Sequence, residues 1–179
     1  MGRKNSVGTA NGLPNGERAG GAAAGSGAPV PCHLLVMRTS AMGDVAMLPH
    51  ALRALTAAYP DLRVTVATQA MFSPFFAGLD VGFLDVDVKG AHHSLAGMWR
   101  LAAQARRLGV DAVADVHDVL RSKAFRLAMR LHGVPAAHID KGRAGKRAFI
   151  RCGGRGMEPL RHTVLRYCDV FRKLGFVLD

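Results

Sequence analysis

HLLVMRTSAMGDVAMLPHALRALTAAYPDLRVTVAT, residues 33–68, is the stretch whose reading decides the fold. HLLVM at 33–37 is an apolar run of strand length without polar alternation, as expected of a strand covered on both faces. A polar loop, Arg38 to Asp44, leads into an apolar helix through Ala58, closed by Tyr59-Pro60. RVTVAT at 63–68 is a second strand. Strand, helix and strand in such close succession predict a parallel pair joined by a right-handed crossover.

The alternation continues outward. Residues 81–88 contain a third strand, and Leu95, Met98, Ala102, Ala105 and Leu108 fall at helical spacing before Gly109, a natural left-handed helix end. AVADV at 112–116 is a fourth strand. Asp118 is then read as the cap of a helix ended by Gly133. Its apolar positions Leu120, Ala124, Leu127, Ala128 and Leu131 share one face, and Lys123, Arg126 and Arg130 share another. Residues 136–139 supply a fifth strand, and Val164, Tyr167, Phe171 and Leu174 line a last helix ending at Gly175. The fold class predicted is α/β, a doubly wound, Rossmann-like parallel sheet occupying residues 30–179. Residues 1–29, rich in Gly, Ala, Asn and Ser, offer too little apolar surface to offset the entropy of ordering and are read as a disordered leader.

The 179 residues, 49% of them hydrophobic, suffice for one real core. No run approaches the roughly 18 apolar residues of a membrane span, and the N-terminus lacks the apolar centre of a secretory signal. A cytoplasmic location is expected. Cys32, Cys152 and Cys168 are odd in number and widely spaced, which implies neither a disulfide framework nor a zinc site. The eight histidines likewise lack metal-ligand spacing. Of these His117 stands out, because it follows the fourth strand at the expected ligand edge, whereas His162 reads as a helix cap or packing residue. Met98 and Trp99 read as core.

The formal net charge is +11, and residues 121–173 carry all of that excess, holding 14 of the 24 basic and 3 of the 13 acidic residues. Arginine outnumbers lysine 18 to 6 in the whole chain. Its planar fork suits bidentate recognition of phosphate or carboxylate, so the segment points to an anionic partner.

In open parallel sheets ligands lie beyond the carboxyl ends of the strands, which directs attention to the loop at 38–44. Thr39, Ser40 and Gly43 let a ligand approach the backbone, and the loop opens a helix whose free N–H groups favour anions. Neither a G-x-G-x-x-G nor a G-x-x-x-x-G-K-[ST] pattern occurs, so nicotinamide and P-loop chemistry lose most of their support. Asp44 is either a helix N-cap or a carboxylate able to accept a proton from a substrate hydroxyl. Pro49 suggests a helix starting properly only near Leu48, which would leave Asp44 in a freer loop.

At this loop the sequence resembles glycosyltransferase family 9, the ADP-heptose:lipopolysaccharide heptosyltransferases. In that family a first strand runs into R/K-x-S-x-x-G-D-V, a Leu-Pro and a helix ending in Tyr/Phe-Pro. DAVADVHDVLRSKAF at 111–125 is similar to the family's D-x-(Q/H)-x-x-x-(R/K)-S segment, and RHTVLRYCDVFRKLGF at 161–176 to its His-initiated last helix. The resemblance implies a GT-B enzyme and covers only its N-terminal, acceptor-side domain. The donor-binding domain has no counterpart here, so the chain alone is expected to be inactive.

By resemblance, Asp44 is the catalytic base in an inverting transfer from a nucleotide-diphosphate sugar, ADP-heptose or a relative. Arg38, Thr39, Ser40, Gly43 and His117 line that centre, and Arg121 and Ser122 contact the acceptor. Enzymes of this kind generally need no metal or other cofactor, because side chains and helix N-termini can stabilise the leaving diphosphate. The implied partner is the acidic lipopolysaccharide core, whose carboxylates and phosphates match the arginines, with peripheral contact to the anionic inner membrane. An Arg-rich nucleic-acid-binding module is the alternative of a different class. Its salt-sensitive binding would need only the charge, but aromatics are scarce (6%) and no helix-turn-helix or RNP signature is present. A noncatalytic half-domain that tethers acidic glycolipid would share this sequence pattern.

Overall fold

The computed structural model describes residues 30–151 and 161–178. The expected leader at 1–29 lies outside the described residues, as does Cys152. Five strands, β1 (His33–Met37), β2 (Arg63–Thr68), β3 (Gly82–Asp85), β4 (Ala112–Asp115) and β5 (Ala136–His138), form one sheet in the order β3-β2-β1-β4-β5. Every pairing is parallel, with Leu35 level with Thr65 on one side and Val113 on the other. The doubly wound α/β class is therefore observed, and the order reverses between β1 and β4.

Helices α1 (Met42–Ala58) and α5 (Thr163–Arg172) cover one face, while α2 (Leu95–Arg107) and α3 (Leu120–Leu131) cover the other. A short helix, α4 (Arg143–Arg151), follows β5. The two faces divide the side chains of β1 by parity. Leu34 and Val36 join the core under α1 and α5, and Leu35 and Met37 join the core against α2 and α3. All five residues of β1 are buried, which is why its sequence shows no alternation. Gly109, Gly133 and Gly175 take φ of 75°, 79° and 94°, ending three helices where a side chain would be strained.

Four expectations need correction. First, α1 starts at Met42 with Ala41 as its N-cap, and Pro49 is accommodated inside it, so Asp44 is neither the cap nor in a free loop but in the first helical turn. Second, Asp118 does not cap α3. Val119 holds that position, and Asp118 adopts φ 47°, a left-handed conformation that Asp tolerates better than most residues. Third, the faces of α3 differ from their reading. Leu120, Leu127 and Leu131 are exposed, whereas Arg126 is buried together with Phe125, Ala128 and Met129. The reason is β4, whose Asp115 is fully buried and draws the Arg126 guanidinium inward (Nη1 to Oδ2, 2.8 Å). Trp99 also departs from its core assignment, being partly exposed on α2, while Met98 is buried.

Candidate functional site

Because the chain turns one way from β1 to β2 and the other way to β4, the loops after β1 and β4 diverge and leave a crevice between them. The first loop carries Arg38, Thr39, Ser40 and, one helical turn on, Asp44. The second carries Val116, His117 and Asp118. Side chains close the crevice floor across this switch point. The Thr39 hydroxyl lies 3.1 Å from Nδ1 of His117, and the Ser40 hydroxyl lies 3.1 Å from its Nε2. Burial, reinforced by the Arg38 charge, holds the His117 imidazole down to about 4. It is therefore neutral at physiological pH, with one ring nitrogen donating and the other accepting.

Arg38 is buried at the base of the site. Its guanidinium donates to the Val116 carbonyl and to Oδ2 of Asp44, and stands 5.8 Å from the centroid of the Tyr167 ring. The Tyr167 hydroxyl donates to the Asp44 carbonyl oxygen (2.9 Å), tying α5 to the first turn of α1. Burial pushes that phenol up to about 12, so it stays protonated and keeps donating. Asp44 is thus fixed by one carboxylate oxygen and by its own backbone. Its side chain is 42% exposed, and Oδ1 has no protein partner among the described residues.

A cleft of about 330 Å³ opens over this carboxylate, lined by Arg38, Ser40, Asp44, His117, Lys141 and Arg166 among others. Lys141 donates to the Asp118 carbonyl (2.9 Å) and Arg166 to the Lys141 carbonyl (2.8 Å), so the two cations are held in place at one wall. Burial pulls the Lys141 ammonium below the usual lysine range, with Asp118 opposing. A carboxylate beside three cations at a sheet edge can accept a proton from an alcohol while the cations hold an anionic group nearby.

The other residues expected at the site fall differently. Gly43 is exposed on the first turn of α1, with open space around its Cα. Arg121 and Ser122 do not line the Asp44 cleft. They border a second, larger cavity, where Arg121 donates to the Val88 carbonyl (3.0 Å) and the Ser122 hydroxyl bonds the backbone of Val119. His162 caps α5, its Nδ1 accepting from Val164 N–H at 3.3 Å. Lys141, Arg166 and Tyr167 were not singled out in the sequence as site residues. Only the general arginine richness of their segment hinted at a role. Among the described residues, no group of three His, Cys, Asp or Glu side chains is placed to hold a metal ion.

Solved structures share this arrangement of strands and helices. The glycosyl transferase family 9 structure from Veillonella parvula DSM 2008 superimposes with a TM-score of 0.59 at 19% identity, covering 80% of this chain and 41% of that one. The fold is that of the family 9 glycosyltransferases. E. coli heptosyltransferase WaaC with ADP gives 0.56 at 23% identity over 82% of this chain and 48% of WaaC. E. coli ADP-heptose lps heptosyltransferase II gives 0.52 at 21% identity over 78% of this chain and 40% of that one. The chain thus spans half or less of the length of each. No family model matches the sequence, and no curated protein matches it.

Proposed function

We propose that the chain is the acceptor-binding half of an inverting glycosyltransferase that moves heptose, or a related sugar, from a nucleotide-diphosphate donor to the acidic core of lipopolysaccharide. The observation that carries this reading is the Asp44 carboxylate, anchored by Arg38 yet open to a cleft that also holds Lys141 and Arg166. In the proposed reaction the acceptor hydroxyl gives its proton to Asp44 as its oxygen bonds to the anomeric carbon. The bond to the nucleoside diphosphate breaks on the opposite face, which inverts the configuration. Lys141 and Arg166 hold a carboxylate or phosphate of the acceptor, and Thr39, Ser40 and His117 shape the floor. From the neighbouring cavity, Arg121 contacts the acceptor through the N–H groups that the Val88 carbonyl leaves free, and Ser122, bonded to Val119, holds the turn beside it. The donor sugar is ADP-heptose or similar, held by a further domain, and no metal or other cofactor takes part.

The distribution of the basic residues favours this reading over nucleic acid. Arg126 is committed to Asp115, and Arg161 and Arg172 both pair with Asp169, which removes them from a free basic stripe. On α4, by contrast, Arg143, Arg147 and Arg151 are exposed beside Ile150. That combination supports peripheral contact with the anionic cytoplasmic leaflet. No helix of the described residues is long and apolar enough to cross a membrane.

The test is transfer by a polypeptide in which this chain is joined to a donor-binding domain. Asp44→Asn is expected to lower kcat by about 10²- to 10⁴-fold, and undiminished activity would overturn the assignment of the base. The 179-residue chain alone is expected to show no transfer.

A further inference from the structure

The larger cavity, about 530 Å³, lies on the other side of His117 from the Asp44 cleft, and the two share Ser40 and His117. Its walls include Met37 at the end of β1, Val86 and Val88 beyond β3, Leu95 and Met98 of α2, and Leu120 of α3. Apart from His93, the polar side chains on these walls each have at least one partner within the protein. The Ser122 hydroxyl is bonded to Val119, the Arg121 guanidinium to the Val88 carbonyl, the Gln69 amide to the Thr39 carbonyl, and the Ser94 hydroxyl accepts from Gly97 N–H. Both ring nitrogens of His117 are taken by Thr39 and Ser40. Aliphatic side chains make up most of the wall, and among the polar groups left free, the His93 ring and the remaining N–H groups of Arg121 belong to exposed residues. A sugar hydroxyl buried against the aliphatic part would lose its hydration without replacement bonds. A hydrocarbon group would find apolar contact along the Met37, Val86, Val88 and Met98 side of the cavity.

At the border of the cavity, Leu95 and Leu120 are 51% and 74% exposed, and Leu127 and Leu131 continue from Leu120 along α3 at helical spacing, both exposed. We infer that this cavity receives an alkyl chain attached to the acceptor whose anionic group occupies the Lys141 and Arg166 wall. The acceptor would then be an amphiphile read at both ends, a charged part at the cations and an apolar part behind His117. This inference rests on the acceptor-side reading of the Asp44 cleft.

Titration calorimetry of the 179-residue chain with inorganic phosphate and with n-butyl, n-hexyl and n-octyl phosphate, each below its micelle concentration, tests it. Affinity is expected to rise about two- to fourfold per added methylene, the upper figure being full burial of a CH₂. Leu95→Asp and Leu120→Asp change exposed side chains and leave the fold intact. They are expected to flatten that rise while leaving the affinity for inorganic phosphate unchanged. A flat chain-length series in the unaltered protein, with phosphate still bound, would overturn the inference and leave the anionic cleft standing. An undiminished rise in both leucine variants would equally overturn it, because the chain would be binding elsewhere. A leucine-dependent rise accompanied by phosphate affinity indifferent to Lys141→Gln and Arg166→Gln would uphold the hydrocarbon site and refute the acceptor reading of the cleft.

Discussion

Removing Arg126 should destabilise the protein far more than its position on an amphipathic helix suggests. Asp115 is wholly buried, its Oδ1 accepting the backbone N–H groups of His117 (3.0 Å) and Asp118 (2.8 Å) and its Oδ2 accepting Nη1 of Arg126 (2.8 Å). Arg126→Ala keeps the two backbone donors but deletes the only cation on the buried carboxylate among the described residues. Breaking one partner of a buried pair costs about 3–5 kcal/mol, and the surviving N–H bonds place this case near the lower end, at about 3 kcal/mol. For a domain of this size that is a fall in Tm of roughly 10 °C, or a drop of about 1.5 M in the urea midpoint with m near 2 kcal/mol/M. Pairing Arg126→Ala with Asp115→Asn removes both charges and retains an oxygen for the two N–H groups, so most of the electrostatic part of the loss should be recovered. The double-mutant cycle should then show a coupling of about 2 kcal/mol or more. Chemical denaturation of the four proteins decides the matter. A loss for Arg126→Ala within about 0.5 kcal/mol, as for an ordinary surface position, or an additive cycle, would refute the reasoning.

Other outcomes follow from the same geometry. His117 protonates near 4 in the folded protein, against 6.5 for the free side chain, so between those values unfolding takes up a proton. Its contribution is complete above pH 6.5 and is lost as pH falls toward 4, by up to about 3 kcal/mol. Burial lowers His33 and His138 in the same sense, so the measurement is the slope of stability against pH in His117→Asn relative to the unaltered chain, which should be shallower. Gly97→Ala should destabilise by about 1–3 kcal/mol in urea denaturation despite alanine's better helix propensity. Its Cβ would sit 2.4 Å from the Ala91 carbonyl oxygen and 2.8 Å from Cα of His92, backbone atoms that cannot step aside. Tyr167→Phe should cost about 1 kcal/mol by releasing the Asp44 carbonyl, and a neutral result would mean that water replaces the hydroxyl without loss.

The strands were legible because a parallel sheet covered on both faces demands uninterrupted apolar runs. β1 and β2 occupy the residues their sequence indicates, 33–37 and 63–68, and the glycines at 109, 133 and 175 end helices as read. The position of the loop at 38–44, beyond the carboxyl end of β1 at the point where the strand order reverses, was legible because topology, not side-chain detail, places it there. Periodicity failed on α3, where the leucine stripe and the Phe125, Ala128, Met129 stripe both repeat at helical spacing. The neighbouring strand chose between them through the buried charge of Asp115.

What the amino-acid order determined by itself is local: the alternation of apolar runs with helical periods, the points where helices stop, and the polar turn that carries Asp44. Tertiary structure alone decided which charges meet. Tyr167 reaches Asp44 across 123 residues, and His117 reaches Thr39 across 78. The cations beside the carboxylate, Lys141 and Arg166, likewise come from beyond β5 and from α5. Hydrophobic patterning encodes burial residue by residue, whereas a binding site depends on distances between side chains that only the closed sheet brings together.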